Sequence, residues 1–307
     1  MNNSIKVGDI IKNNIKNKKN RSEKIMPSIF LVAGLVSILT TVGIVLTLVF
    51  DAAEFFSRVS FKEVFSTELA PLSANPSFGI LPLINGTIIT SLIAMCVAVP
   101  VGLTAAMYLS EFVSKNVRKT LKPIIEVLAG IPTIVYGFFA YSFVTPLLME
   151  LIPSLEAKNA LSPGIVMGIM IIPLVTSLSE DAMNSVPDAI RDGASALGST
   201  KLEVTLKVVL PAALSGIVAS FVLAISRAIG ETMIVVIASG SSKNFTFDIT
   251  KSMQTMTAYI VEFTSGDAGT GTTGYYSLYA VGLILFIFTF FMNLLAQYIS
   301  RRFREEY

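Results

Sequence analysis

Six long apolar runs, separated by polar stretches that carry nearly all the charge, set the pattern of this chain. They lie at about residues 28–50, 80–109, 121–148, 163–179, 212–239 and 277–298. A helix needs roughly 20 apolar residues to cross the hydrocarbon core of a bilayer. The pattern therefore predicts six transmembrane helices in an all-α membrane protein. The fourth run is short and contains Pro173, which leaves its ends open. Pro100 and Pro132 predict kinks in the second and third runs, tolerated where neighbouring helices satisfy the freed carbonyl groups. The spacing of Gly164 and Gly168 predicts close helix packing.

Composition makes lipid the solvent for much of the surface. Apolar residues make up 53% of the 307 positions and charged residues 14%, against about 25% charged in ordinary soluble domains. The chain has no histidine and one cysteine, Cys96. That excludes disulfide frameworks, thiolate metal clusters and any mechanism with a histidine base; no cofactor or metal is expected. Cys96 lies in an apolar run and reads as packing. The N-terminus is long and polar, with seven Lys/Arg before Pro27, so no cleavable leader is expected and the first run reads as an anchor.

The basic residues orient the weave. With the N-terminus in the cytoplasm, the inside segments 1–27, 110–122, 180–211 and 299–307 hold seventeen Lys/Arg, and the outside segments 51–79, 149–162 and 240–276 hold five. This positive-inside bias places both termini in the cytoplasm. It also divides the chain into a basic tail at 1–27, a membrane domain at 28–298 and a short cytoplasmic end at 299–307.

Two loops interrupt the weave. Segment 240–276 reads as a long external loop of Ser, Thr, Gly and aromatic residues. Its Gly269-Thr270-Gly271-Thr272-Thr273-Gly274 fits a dinucleotide-binding pattern that has meaning only between a strand and a helix; here it reads as a linker. Segment 180–211 is cytoplasmic and ordered. Ser185-Val186-Pro187-Asp188 predicts a helix start with a hydroxyl cap, and Val186, Ile190, Ala194 and Leu197 recur on one face. Gly198 predicts a left-handed stop. Thr200-Lys201-Leu202-Glu203 is a capping box that opens a second helix, which runs to Leu210 and joins the fifth run at Pro211.

This loop resembles the cytoplasmic motif in membrane subunits of bacterial ATP-binding-cassette importers: Glu-Ala-Ala, a Gly four residues later, then Ile-x-Leu-Pro. The matching positions are Asp192-Gly193-Ala194, Gly198 and Val208-Val209-Leu210-Pro211. The resemblance implies a helix-in-groove contact with an ATP-hydrolysing partner. This chain has no Gly-Lys pair, hence no phosphate loop of its own, and is not expected to be an enzyme.

Within the fifth run, Arg227-Ala228-Ile229-Gly230-Glu231-Thr232-Met233 places an arginine and a glutamate at a spacing that shares one face of a continuous helix. Charged residues at membrane depth are costly and normally face a pathway. The motif resembles the PstC-type permease subunits of phosphate-specific importers, as do Asn75-Pro76-Ser77-Phe78-Gly79-Ile80-Leu81-Pro82, Gly130-Ile131-Pro132-Thr133-Ile134-Val135-Tyr136-Gly137 and Phe290-Phe291-Met292-Asn293.

The resemblance implies a type I importer permease fold and a pathway lined by Arg227, Glu231 and Thr232. Glu231 is expected to hold Arg227 when the pore is empty. The implied partners are a second, similar permease, two copies of an ATP-binding subunit and an external phosphate-binding protein. A permease for sulfate or molybdate is the nearest alternative. A secondary carrier or channel is another, against which stands the lack of matched broken helices in two halves.

Overall fold

The computed structural model describes residues 21–267 and 269–302. Residues 1–20 of the expected basic tail and 303–307 of the expected C-terminal segment lie outside the described residues. The chain divides into two units, Met1–Asp51 and Ala52–Tyr307. In the first unit the described residues belong to helix α1 (Arg21–Arg58). Their side chains between Ile25 and Phe50 are exposed almost throughout. A helix that is apolar on all sides and buries none of them is built for lipid or for another chain.

In the second unit, a short helix α2 (Phe61–Val64) and a two-stranded hairpin, β1 (Leu69–Ala70) against β2 (Ser77–Phe78), precede the main helices. These are α3 (Leu81–Met107), α4 (Lys115–Ala129), α5 (Thr133–Phe139), α6 (Thr145–Leu151) and α7 (Leu161–Asn184). The loop helices α8 (Asp188–Ala196) and α9 (Lys201–Val204) follow. The chain ends with α10 (Leu214–Ile229), α11 (Met233–Ala238), α12 (Met256–Glu262) and α13 (Thr273–Arg302).

Helices α3 and α7 form the central pair, and α10 packs against both. Glycine sets their separation. A Cβ at Gly164 would lie 2.7 Å from the Ile93 Cβ, and one at Gly168 2.7 Å from both the Ala94 carbonyl and the Val97 Cβ. The close approach predicted from these two glycines is present. Around the pair, Ala94, Met167, Ile171, Ala224 and Ile234 fill a continuous apolar core. Small residues of this kind let helices meet where lipid removes the hydrophobic drive.

Among the described residues five helices are long and apolar enough to cross a membrane: Ile25–Arg58, Leu81–Phe112, Thr133–Leu151, Leu161–Asn184 and Thr273–Ile299. A sixth is reached when Lys201–Ala212 and Leu214–Ile229, bent by 72°, count as one span. The third and fifth expected spans therefore change. The apolar run at 121–148 is divided at Gly130–Pro132, so that α4 ends and α5 begins there. Tyr136 bridges the break by donating to the Leu128 carbonyl at 2.8 Å. By contrast α3 runs on through Pro100 and α7 through Pro173. The run at 212–239 is likewise broken, between Ile229 and Met233.

Segment 240–276 is more than a loop. Met253, Met256, Tyr259 and Phe263 are buried. Thr87 Oγ1 accepts from the Met256 amide, and Thr257 donates to the Glu231 carbonyl. Residues 240–255, which form no helix or strand, and the glycine-rich stretch before α13, with Gly271 at φ +83°, keep the character expected of a connection.

Candidate functional site

The first candidate region is the break in the fifth span. Helix α10 stops at Gly230, and α11 restarts at Met233 with Thr232 as its N-cap residue. Glu231, buried, accepts at one carboxylate oxygen from the Met233 amide at 3.1 Å and the Ile234 amide at 3.4 Å. An acid on the free amides that open a helix is favourably placed for both hydrogen bonding and dipole. Thr232 donates to the Gly230 carbonyl at 3.3 Å. Glu231 and Thr232 thus shape the interruption.

Arg227, in the last turn of α10, is exposed. Among the described residues it makes no ion pair or hydrogen bond. The expected resting pair with Glu231 is corrected here: it assumed one unbroken helix, and the break gives the carboxylate backbone partners instead. Beside Arg227, Ser226 donates to the Asn293 side chain of α13 at 3.3 Å. The break is braced from below by α5: a Cβ on Gly137 would meet Ile237 Cδ1 at 2.8 Å, the Met233 carbonyl at 3.1 Å and Ile234 Cα at 3.3 Å.

The second region is the loop between α7 and α10. Gly198 lies at φ +88° and separates α8 from α9, as its position in the sequence predicts. The Thr200–Glu203 capping box is formed in both directions. Backbone and side-chain contacts hold the Glu203 carboxyl at a pKa of about 2; the Thr200 amide contributes most, then Lys207 and the Thr200 hydroxyl. Two details differ from expectation. The residue before α8 is Pro187, while the Ser185 hydroxyl donates back to the Ala182 carbonyl at 2.7 Å and so closes α7. Leu197 does not join Val186, Ile190 and Ala194 on the packed face and is 89% exposed.

Asp192 and Gly193 are exposed on the outer side of α8, and nothing stands within 4 Å of a Cβ built on Gly193 or Gly198. Ala194 and Leu210 pack against the buried cluster of Val204, Val209 and Ile217, and Pro211 opens the bend into α10. The loop therefore presents an outer surface of Asp192, Gly193 and Leu197 on a firmly seated base.

Sequence reasoning missed the charges that seat it. Arg191 reaches Glu111, at the end of the second span, at 3.2 Å, and donates to the Met183 carbonyl at 2.7 Å. Glu180, wholly buried in α7, pairs with Arg118 and Lys122 of α4. The signal was available: Arg118 and Lys122 are one turn apart, and Glu180-Asp181 closes an apolar helix.

An apolar helical bundle, a helix break beside an arginine without a partner among the described residues, and a seated two-helix loop together define a membrane permease of the type I importer fold. The chain belongs to the family of binding-protein-dependent transport system inner membrane components, which matches residues 98–305. It is 35% identical over 253 residues to a phosphate transport system permease protein PstC of Xylella fastidiosa, covering 76% of each chain. The PstC protein of Mesorhizobium japonicum is 32% identical over 280 residues, with 85% of this chain and 84% of that protein covered. A probable ABC transporter permease protein of Bacillus subtilis, YqgH, is 32% identical over 232 residues, covering 76% and 75%.

Among solved structures, a crystal structure of a bacterial ABC transporter involved in the import of the acidic polysaccharide alginate superposes with a TM-score of 0.60 at 15% identity. It covers 92% of this chain and 99% of that one. An inward-facing MetNI methionine ABC transporter superposes at 0.53, also at 15% identity, covering 74% and 95%. These two similarities establish the fold.

Proposed function

We propose that this chain is a pore-forming permease subunit of an ATP-driven importer of inorganic phosphate, and that Arg227 is the anion's contact on the pathway. The observation that carries the reading is an arginine without an ion pair or hydrogen bond among the described residues, beside a helix break within the fifth apolar run, in a chain whose relatives include phosphate transport permeases. A guanidinium can offer two parallel N–H donors to two phosphate oxygens. With Glu231 committed to the amides of α11, no carboxylate within the described residues competes with the anion for Arg227. Contact with one side chain keeps binding weak enough for release. Glu231 and Thr232 belong to the same site as the residues that hold the interruption open.

The machine this implies has a second, similar permease to complete the pore, two ATP-binding subunits on the loop at 188–211, and an external phosphate-binding protein. Asp192, Gly193 and Gly198 carry the contact with the ATP-binding subunit, Ala194, Leu210 and Pro211 seat the loop that presents it, and the exposed Leu197 adds an apolar knob. ATP hydrolysis belongs to that partner. Both chain ends and this loop lie on the cytoplasmic side of the cell membrane, as the distribution of basic residues supports. The test is uptake of radiolabelled phosphate into vesicles holding the complete complex, with sulfate and molybdate as competitors. Uptake that resists both supports the reading; equal displacement by sulfate overturns the phosphate assignment.

A further inference from the structure

A fully buried carboxylate between two cations needs a reason, because a well-packed apolar contact would join the same helices at lower cost. Glu180 is such a group, with no exposed side-chain surface. It pairs with Arg118 at one oxygen and with Lys122 Nζ, 2.7 Å away, at the other. The Asn184 side chain donates to it at 2.7 Å and accepts from Arg118 at 3.0 Å. The Asn184 oxygen also lies 3.4 Å from the Ser110 hydroxyl, which donates to Glu111 at 2.9 Å. Glu111 in turn accepts from the Arg191 guanidinium of α8 at 3.2 and 3.3 Å. The Ser110 proton goes to Glu111, so its approach to Asn184 is contact only; the loop helix reaches α7 through Arg191, which holds the Met183 carbonyl as well as Glu111, and α7 reaches α4 through Glu180 and Asn184.

We propose that these groups form a relay that delivers displacement of α8 to α4, with Glu180 as its pivot and Arg191–Glu111 as its input. This rests on the reading of 188–211 as the surface that docks the ATP-binding subunit. Charges suit the task because their paired geometry is directional, whereas apolar side chains can slide past one another. Helix α4 is a fitting receiver. It ends at the Gly130–Pro132 break, and its exposed apolar face includes Ile124 and Val127. It packs chiefly on α7 and can tilt without unfolding the central pair. Arg118, Glu180 and Glu111 are positioning residues in this scheme, remote from the substrate.

The experiment compares Arg118→Gln, Arg118→Lys and Glu111→Gln in the complete complex, measuring assembled yield, ATP hydrolysis and phosphate taken up per ATP. Arg118→Gln and Glu111→Gln should still capture the ATP-binding subunit, with uptake per ATP falling about tenfold or more, and Arg118→Lys should recover part of it. Glu111→Gln leaves the Glu180 pairs intact, so it reports even if Arg118→Gln assembles poorly. Wild-type uptake per ATP in the assembled fraction of both Gln variants would make the cluster a static brace and overturn the relay. Gly198→Leu, measured alongside, separates this from failure of the docking reading: in that case Gly198→Leu would itself capture and couple the ATP-binding subunit normally.

Discussion

The Glu231 carboxylate and the Met233 amide stand 3.1 Å apart, across the point where the fifth membrane segment stops and restarts. The contact uses the acid to finish a helix and leaves the arginine four positions earlier unpaired. Glu231 and Arg227 should therefore respond to mutation differently, where an ion pair would make them fail together and recover together.

For Arg227, Gln should insert and assemble but lose uptake by about 10- to 100-fold, the range for losing a hydrogen bond to a charged group of about 1.5–3 kcal/mol. Lys should keep part of the activity, since it retains the charge and loses the fork. Combining Arg227→Gln with Glu231→Gln should leave transport absent in a well-assembled complex. Recovery of uptake in that double variant would remove Arg227 from the pathway. Phosphate uptake and complex yield, measured together, decide it.

Glu231→Ala should act through structure. Losing the charged acceptor of the Met233 and Ile234 amides costs about 1.5–3 kcal/mol and should lower complex yield or melting temperature, with Glu231→Gln milder because an amide oxygen can still accept. A loss of uptake in Glu231→Ala with unchanged yield and melting temperature would contradict the capping role.

At the loop, a Cβ on Gly198 has nothing within 4 Å among the described residues, so the first penalty of Gly198→Leu is the left-handed backbone, about 1–2 kcal/mol. The protein should insert normally, while capture of the ATP-binding subunit weakens or hydrolysis separates from transport. Gly193→Ala is the control for contact: it gains roughly 0.8–1.0 kcal/mol in helix propensity and has free space around it. A coupling defect there would locate the partner's surface against Gly193, and pull-down of the ATP-binding subunit with ATPase assays reads both.

The Glu203 cap has a defined pH window. Its folded pKa, about 2, lies below the ordinary carboxylate value of 4.5. Its contribution is therefore complete above the unfolded value and is lost as pH falls toward 2. Hydrogen exchange at the α9 amides, corrected for intrinsic rates, should show constant protection between about pH 6 and 8. A step within that interval would mean that another group governs the cap.

Topology gives the last prediction. In a background lacking Cys96, Cys at Ser195 should react with an impermeant thiol reagent only from the cytoplasmic side, and Cys at Ser265 only from outside. Both positions are exposed. Labelling of Ser265 from the cytoplasm would reverse or break the proposed weave.

Much of this architecture was legible because lipid imposes simple rules. Run length and glycine spacing located α3, α7 and α13, and the capping box at Thr200 and the stop at Gly198 were readable to the residue. The misread parts share a cause. Pro132 foretold a kink in the third run, but hydropathy averages over a window and cannot see that Gly130–Pro132 and Gly230–Thr232 divide apolar runs into separate helices. It also discounted 253–263, although Met253, Met256 and Tyr259 repeat at helical spacing. The Arg227–Glu231 pairing failed for the same reason: a spacing argument holds only while the helix is continuous. Glu180 with Arg118 left only a partial trace, cations one turn apart and an acidic pair closing an apolar helix, because the partnership itself is tertiary.

The contact of Gly137 with the start of α11 carries a consequence for how such a pore can diversify. A Cβ there would lie 2.8 Å from Ile237 Cδ1, 3.1 Å from the Met233 carbonyl and 3.3 Å from Ile234 Cα, so any larger residue requires Ile237 to turn and the start of α11 to give by a few tenths of an ångström. A lineage that alters its cargo is channelled toward the rim, where Thr232 and Ser226 are less constrained. The rigid floor of the break would then be inherited unchanged across permeases of differing selectivity.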